Sequence, residues 1–286
     1  MNSTSSTVSK RNEVDAALSR AVVESWWEMR TRAETITSAA NPLIKDLRRA
    51  IGRGGLTERG WCVAEGFHLL EEALRSASDI QAVVAAESTE LRGLRLGAAI
   101  VTRIPDALFH TISSTETSQG VIALVNPPVW TLDRLLGARA LVVLLDGVQD
   151  PGNAGTILRA AEAFGATGAM FLKGAVSPFN PKTLRASAGS LFRLPFLHGV
   201  EPALAIDQPI TWYAAVAGGA AVRISAADFT TPCGIIIGSE AHGIRQSLLA
   251  SATAVTIPTA GVESLNAAIA AGVLLYEASR QRARAR

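Results

Sequence analysis

Cysteine is scarce. Cys62 and Cys233 are the only two among 286 residues, far apart and outside any CxxC spacing, which excludes a disulfide framework and a cysteine-based zinc site. Both read as small buried apolar residues, and no metal centre is expected. Charge of one sign is scarce too: 27 Lys and Arg against 25 Asp and Glu leave +2, so nucleic-acid binding cannot be argued from net charge and has to be sought in local clusters. No run approaches 18 uninterrupted apolar residues, and the first 30 lack a basic segment followed by an apolar one. A transit peptide is disfavoured by Glu13, Asp15, Glu24 and Glu28. A cytoplasmic protein with no membrane association is the simple reading. There is no internal repeat and no GxGxxG turn.

What is present is a globular composition, 48% hydrophobic and 18% charged, with 24 Gly and 12 Pro as punctuation. The length predicts two domains. Residues 1–36 read as an extension, polar at first and then one amphipathic helix through Val14, Leu18, Val22, Trp26 and Met29, packed on its own protein or disordered. Residues 37–128 alternate helical and strand-like segments, a smaller α/β domain that Asn126-Pro127-Pro128 stops. Residues 129–286 show a stronger rhythm. Strands are predicted at Leu141–Leu145, Ala169–Leu172, Trp212–Val216, Ile235–Ile237 and Ala254–Ile257, with helices at Ala154–Phe164, Lys182–Leu191 and from Leu265 onward. Continuously apolar strands between helices indicate a parallel sheet covered on both faces, with ligands at the carboxyl ends of its strands.

Three such strand ends concentrate the chemistry: LDGVQDPGNAGTILRAAEAFGATG at 145–168, IIIGSEAHGI at 235–244 and IPTAGVESLNAAIAAGVLLYEAS at 257–279. Taken singly they have ordinary explanations, with Asn153 and Ser264 as helix caps, Gly152 and Gly238 as turns and Arg159 as a surface arginine. Taken together, in this order and spacing, they resemble the three motifs of the SpoU/TrmH family of RNA ribose 2′-O-methyltransferases, of the SPOUT class. NPKTLRASAGSLFRLPF at 180–196 is similar to the family's stretch between its first two motifs. NPLIKDLRRA, VAEGFHLLEEAL and TSQGVIALV, at 41–50, 63–74 and 117–125, resemble the RNA substrate-binding domain that many members carry.

The resemblance implies an α/β fold in which a knotted parallel-sheet domain follows a smaller α/β domain, the carboxyl-terminal part threading a loop to make a trefoil knot that holds S-adenosylmethionine. It implies a homodimer through the knot and the last helix, whose residues Leu265, Ala268, Ile269, Gly272, Val273 and Tyr276 read as an apolar stripe. Carried over motif by motif, Asn153, Arg159, Glu240, Ser264 and Asn266 are the catalytic candidates, and Ala217, Gly218, Gly238, Ile257 and Leu265 the cofactor-binding ones. A guanidinium essentially never deprotonates, so Arg159 is expected to bind a phosphate and stabilise the developing alkoxide rather than act as a base. Histidine as a residue type is a common general base, but His242 reads better as a loop-surface or RNA-facing residue.

Lys45, Arg48, Arg49, Arg53 and Arg59 stand against Asp46 and Glu58 in 37–60, a net of +3 that is either a solvated helix face or an RNA contact; the resemblance favours RNA. Arg280, Arg282, Arg284 and Arg286 close the chain as a basic tail. Members with a full amino-terminal domain more often act on ribosomal RNA than on tRNA, making ribosomal RNA the favoured substrate. The alternatives are a tRNA ribose methyltransferase and a non-catalytic RNA- or ribosome-binding protein of the same fold. Loss of Asn153, Arg159, Glu240 or Asn266 would mark the latter, and all four are present.

Overall fold

A computed structural model describes residues 33–91 and 93–285. The helix expected at 14–29 lies outside the described residues.

The first sheet takes β1 (Ala33–Thr35), β2 (Cys62–Glu65), β3 (Ile80–Ala86), β4 (Ile100–Ile104) and β5 (Val121–Val125) in the order β1-β4-β3-β5-β2. It is mixed, since β5 runs antiparallel to both β2 and β3 while β1, β4 and β3 run parallel. Helix α1 (Pro42–Arg53) starts where Asn41 accepts from the backbone N–H of Leu43 and Pro42 fills a first-turn position needing no donor. It buries Ile44, Leu47 and Ala50 at helical spacing. Helices α2 (Phe67–Arg75) and α3 (Asp106–His110) complete this layer. One expectation is corrected: Ala33–Thr35 is not part of a helical extension but pairs with Val101–Arg103 as an edge strand.

The second sheet has seven strands, β6 (Leu141–Asp146), β7 (Gly168–Leu172), β8 (Phe196–Val200), β9 (Thr211–Ala215), β10 (Val222–Arg223), β11 (Cys233–Gly238) and β12 (Thr253–Thr256). Every pairing is parallel, in the order β10-β12-β9-β11-β6-β7-β8. Six helices accompany it: α4 (Leu132–Leu135), α5 (Pro151–Ala163), α6 (Pro181–Ser187), α7 (Pro202–Ile206), α8 (Gln246–Leu249) and α9 (Ala267–Arg284). The chain leaves β6 in one direction through β7 and β8 and later returns on the other side as β11. The strand order therefore reverses beside β6, and at that switch point the loops after β6 and β11 have room to form a site.

Two local departures have physical causes. The expected helix at 182–191 ends at Ser187, because Ala188 and Gly189 both take left-handed backbone (φ 48° and 87°) before a short 3₁₀ turn at Ser190–Phe192. Gly189 admits no side chain, since a Cβ there would lie 2.6 Å from Glu72 Cβ of the first domain. Strand β8 has no apolar run to announce it: Pro195, His198 and Gly199 interrupt the sequence, as a sheet edge tolerates.

The carboxyl terminus is not a loose basic tail. Arg282 donates to the carbonyls of Phe229, Arg139, Ala140 and Thr231 at 2.7–2.8 Å, Gln281 exchanges bonds with the backbone of Phe229 and Ala227, and Arg280 pairs with Glu277. Four backbone carbonyls, with Cys233 Sγ at 3.4 Å beside them, hold that charge.

Candidate active site

The polarity of the site follows from the start of α9. Asn266, not Ser264, caps this helix: its Oδ1 accepts from the backbone N–H groups of Ala268 and Ile269. That turns its Nδ2 away from the helix, where it donates to Asn153 Oδ1 at 3.1 Å. With its oxygen so used, Asn153 presents Nδ2 to the carboxylate of Glu240, to which it donates. Asn153 is likewise not a cap. Asp150 caps α5 by accepting from the Asn153 N–H at 2.6 Å, which leaves the Asn153 side chain free for this relay. One residue from each of the three loops thus forms a directed chain running from a helix N-terminus to a carboxylate.

Glu240 sits on a loop folded back on β11. Ser239 and Gly243 exchange backbone bonds at 3.1 and 2.9 Å, and the return is possible only because residue 238 is glycine: a Cβ there would lie 2.4 Å from the Gly243 carbonyl carbon. Asp146, buried at the end of β6, anchors the far side of the loop by accepting from the Arg245 N–H at 2.7 Å, with Arg245 Nε 2.9 Å from its other oxygen. Arg245 also reaches the Lys173 carbonyl at 2.5 Å. Sequence reasoning reaches Asp146 only as the acidic end of an otherwise apolar strand, and it misses Arg245.

Beside the relay lies a cavity of about 750 Å³. Ala217, Gly218, Gly238, Ile257 and Leu265 all line it, together with Glu240, Ser264 and Asn266. Arg223, Thr256 and Glu263, which sequence reasoning missed, line it as well. Gly218 donates to Thr256 Oγ1 at 3.2 Å. From Thr259 to Leu265 no backbone N–H has a hydrogen-bond partner among the described residues. A cavity of this size walled by unused peptide donors and by two carboxylates suits a polar nucleoside-sized ligand that carries a positive charge. S-adenosylmethionine fits that description, with its adenosine and amino-acid ends hydrogen-bonding and its sulfonium cationic. Among the described residues no cluster of metal-ligating side chains occurs.

Two candidates stand apart. Arg159 is exposed on α5, six residues and about 9 Å of helix rise beyond Asn153, and does not line the cavity. His242 is exposed and does not line it either; its backbone N–H bonds Ser239 Oγ at 3.1 Å. The five basic residues of the first domain are unequally available: Arg49 pairs with Glu58 and Arg48 donates to Thr111 Oγ1 at 2.6 Å, while Lys45, Arg53 and Arg59 are exposed, Arg59 lying 5.1 Å over the Trp61 ring. The stripe expected on α9 resolves into two faces, with Ala268 buried inside and Ile269, Val273 and Tyr276 projecting outward, 56%, 38% and 56% exposed.

Residues 140–276 match the SpoU rRNA methylase family and residues 41–123 an MRM3-like substrate-binding domain. The chain is 32% identical to the Bacillus subtilis 23S rRNA (guanosine(2553)-2′-O)-methyltransferase RlmP over 84% of its own length and 97% of that protein's. It is 37% identical to an uncharacterized tRNA/rRNA methyltransferase of Synechocystis over 86% and 94% of the two chains. Its structure is similar to that of the SpoU methyltransferase AviRb from Streptomyces viridochromogenes in complex with AdoMet, with a TM-score of 0.77 at 30% identity, covering 85% of this chain and 98% of that one. The fold is that of a SPOUT methyltransferase. The chain belongs to the SpoU rRNA methylase family, whose cofactor is S-adenosylmethionine.

Proposed function

We propose that this protein methylates a ribose 2′-hydroxyl of ribosomal RNA, working as a homodimer. The observation that carries the reading is the directed chain Asn266–Asn153–Glu240 at the edge of the donor-lined cavity. Both quoted relatives span the two domains of this chain, and the one with an assigned nucleotide is named for 23S rRNA.

Bound S-adenosylmethionine supplies an electrophilic methyl group; the rest of the task belongs to the chain. A neutral hydroxyl is a weak nucleophile, so it has to be held in line while its proton leaves to the neighbouring phosphate or to water as the carbon–oxygen bond forms. Glu240 and Asn153 shape the place for the hydroxyl, with Asn266 fixing the rotamer of Asn153. The loop at 257–265, including Ser264 and the peptides of Ile257 and Leu265, holds the cofactor together with Ala217, Gly218 and Gly238. The trefoil threading of this segment is part of the proposal. Arg159 cannot serve the cavity of its own chain from its exposed position, so it is assigned to the cavity of a second copy, where its planar fork grips the phosphate beside the target ribose and stabilises the alkoxide. The exposed stripe of Ile269, Val273 and Tyr276 supplies the surface that brings the copies together. Lys45, Arg53 and Arg59 hold the RNA backbone from the first domain, with Arg48 and Arg49 behind them.

The test is transfer of a tritiated methyl group to unmodified ribosomal RNA and to tRNA, followed by alkaline digestion. A 2′-O-methyl group protects its own linkage from alkali, so label recovered in alkali-resistant dinucleotides of ribosomal RNA is expected. Label in alkali-sensitive mononucleotides would refute the ribose assignment, and label in tRNA alone would refute the substrate.

A further inference from the structure

We propose that Arg193 is a positioning residue for methyl transfer, locking the RNA-binding domain onto the helix that carries Asn153. The proposal rests on the reading of the first domain as the RNA-binding one.

Arg193 directly follows the 3₁₀ turn at 190–192 and spends three guanidinium nitrogens on two domains. Nε and Nη2 fork onto Glu162 in the last turn of α5, at 2.5 and 3.0 Å. Nη1 reaches across to Glu72 Oε2 on α2 at 2.5 Å, with Ser76 Oγ at 3.4 Å. The Glu72 side chain is only 5% exposed, so its charge depends on partners that the protein itself supplies. The fork is planar, and a lysine at this place could satisfy one carboxylate but not both.

Neighbouring contacts show that the junction is closely fitted. Gly189 lies directly against Glu72, and Arg185 on α6 donates to Ser114 Oγ at 2.6 Å beside the buried Glu65. At the far end of the same seam, a Cβ on Gly54 would fall 2.4 Å from Asn180 Nδ2, so the end of α1, which carries Arg53, abuts the start of α6.

Helix α5 is thereby held at both ends. Asn153 lies in the relay and Glu162 in the lock, nine residues and about 14 Å of rise apart. A rigid rod between the two makes the distance from the basic helix α1 to the cavity a fixed property of the molecule. An RNA gripped by the first domain then presents one ribose to the cavity rather than a choice of neighbours.

The experiment compares Arg193→Gln, Arg193→Lys and Glu72→Gln with Arg75→Gln, in the full chain, on an unmethylated large-subunit ribosomal RNA transcript. Arg75 binds the same Glu72 from within the first domain and is 70% exposed, so it controls for loss of a cationic partner beside that carboxylate. Cofactor affinity and RNA affinity should each stay within threefold in all four. Single-turnover methylation should fall at least tenfold in the Arg193 and Glu72 variants but not in Arg75→Gln. Alkaline-ladder mapping should show methyl groups spread onto adjacent nucleotides, a readout that mere destabilisation does not move. Wild-type rate and single-nucleotide fidelity in Arg193→Gln and Glu72→Gln would overturn the proposal. So would loss of cofactor binding in parallel with rate, which would mean the catalytic domain itself had been damaged. Failure of the underlying reading looks different: Lys45→Ala with Arg53→Ala would then leave RNA affinity unchanged.

Discussion

Replacing Asn266 by aspartate separates the two duties that this side chain combines. As a cap, a carboxylate is at least as good as an amide: it accepts from the same N–H groups of Ala268 and Ile269 and gains about 0.3–1 kcal/mol from the positive end of α9. As a relay member it fails, because the donor that reaches Asn153 Oδ1 at 3.1 Å is replaced by an acceptor. One neutral hydrogen bond is lost, about 1 kcal/mol, and once bound substrate shuts water out of this exposed pair two oxygens are left facing each other, about 1–3 kcal/mol more. If Asn153 turns its amide over to relieve that clash, its oxygen meets the Glu240 carboxylate, and the conflict has only moved. A loss of about 2–4 kcal/mol in the ordered site corresponds to a fall in kcat/KM on the order of 10²-fold. Folding stability should stay within about 1 kcal/mol, since the capping gain offsets the lost bond. Asn266→Ala should lose both duties, being about 1 kcal/mol less stable and similarly inactive. Urea unfolding followed by tryptophan fluorescence, together with initial rates of methyl transfer, measures the pair. Activity within threefold of wild type in Asn266→Asp would refute the directed relay, and equal destabilisation by Asp and Ala would refute the cap.

Mixing inactive Arg159→Ala with inactive Asn266→Asp should restore up to about a quarter of wild-type activity, because half of randomly paired dimers are mixed and each has one intact composite site; no recovery refutes the assignment of Arg159 to the second copy. Val273→Asp should shift sedimentation toward monomer, with activity lost in step. Burial pushes the Cys62 thiol up to about 12 and raises Cys233 as well, so neither should react with a disulfide reagent at pH 8 until the protein is unfolded; fast reaction of the native protein would contradict their burial. The Arg193 fork holds the Glu162 carboxyl below its ordinary value; for Glu65, burial pushes upward but hydrogen bonds from Ser113, Ser114 and Thr115 outweigh it. Carboxyls depressed in this way stabilise fully above the unfolded value, about 4.3, and cease to do so as pH falls through the lower folded value. The domain junction should therefore be intact at pH 5 and open under stronger acid, as scattering or proteolysis near Val129 would show.

The strands β6, β7, β9, β11 and β12 were legible to within two residues at either end, because continuous apolar runs such as Leu141–Leu145 leave few alternatives in a parallel sheet. The cavity-lining residues were legible only through the resemblance: Ala217, Gly218, Ile257 and Leu265 offer backbone, and nothing in their side chains announces a ligand. The identity of the caps was not readable, because Asp150 and Asn153, or Ser264 and Asn266, are all acceptable at a helix start. What decides between them is which side chain the relay needs elsewhere. Contacts distant in sequence were least legible of all: Glu72 and Arg193 are separated by 121 positions and joined by no pattern that periodicity could report.

The four carbonyls gathered by Arg282 have a consequence for the birth of the protein on the ribosome. Two of them, Arg139 and Ala140, immediately precede the central strand β6, so the edge of that strand is completed by a side chain made more than 140 residues later. The first sheet closes within residues 33–125 and is free to form as soon as it emerges. The second has to wait for its last helix, and meanwhile it exposes some of the most apolar segments of the chain. Slow, late completion is the expected behaviour of a domain held by contacts about 140 residues apart in sequence, and a message truncated just before codon 282 would release a chain whose second half had never been fastened.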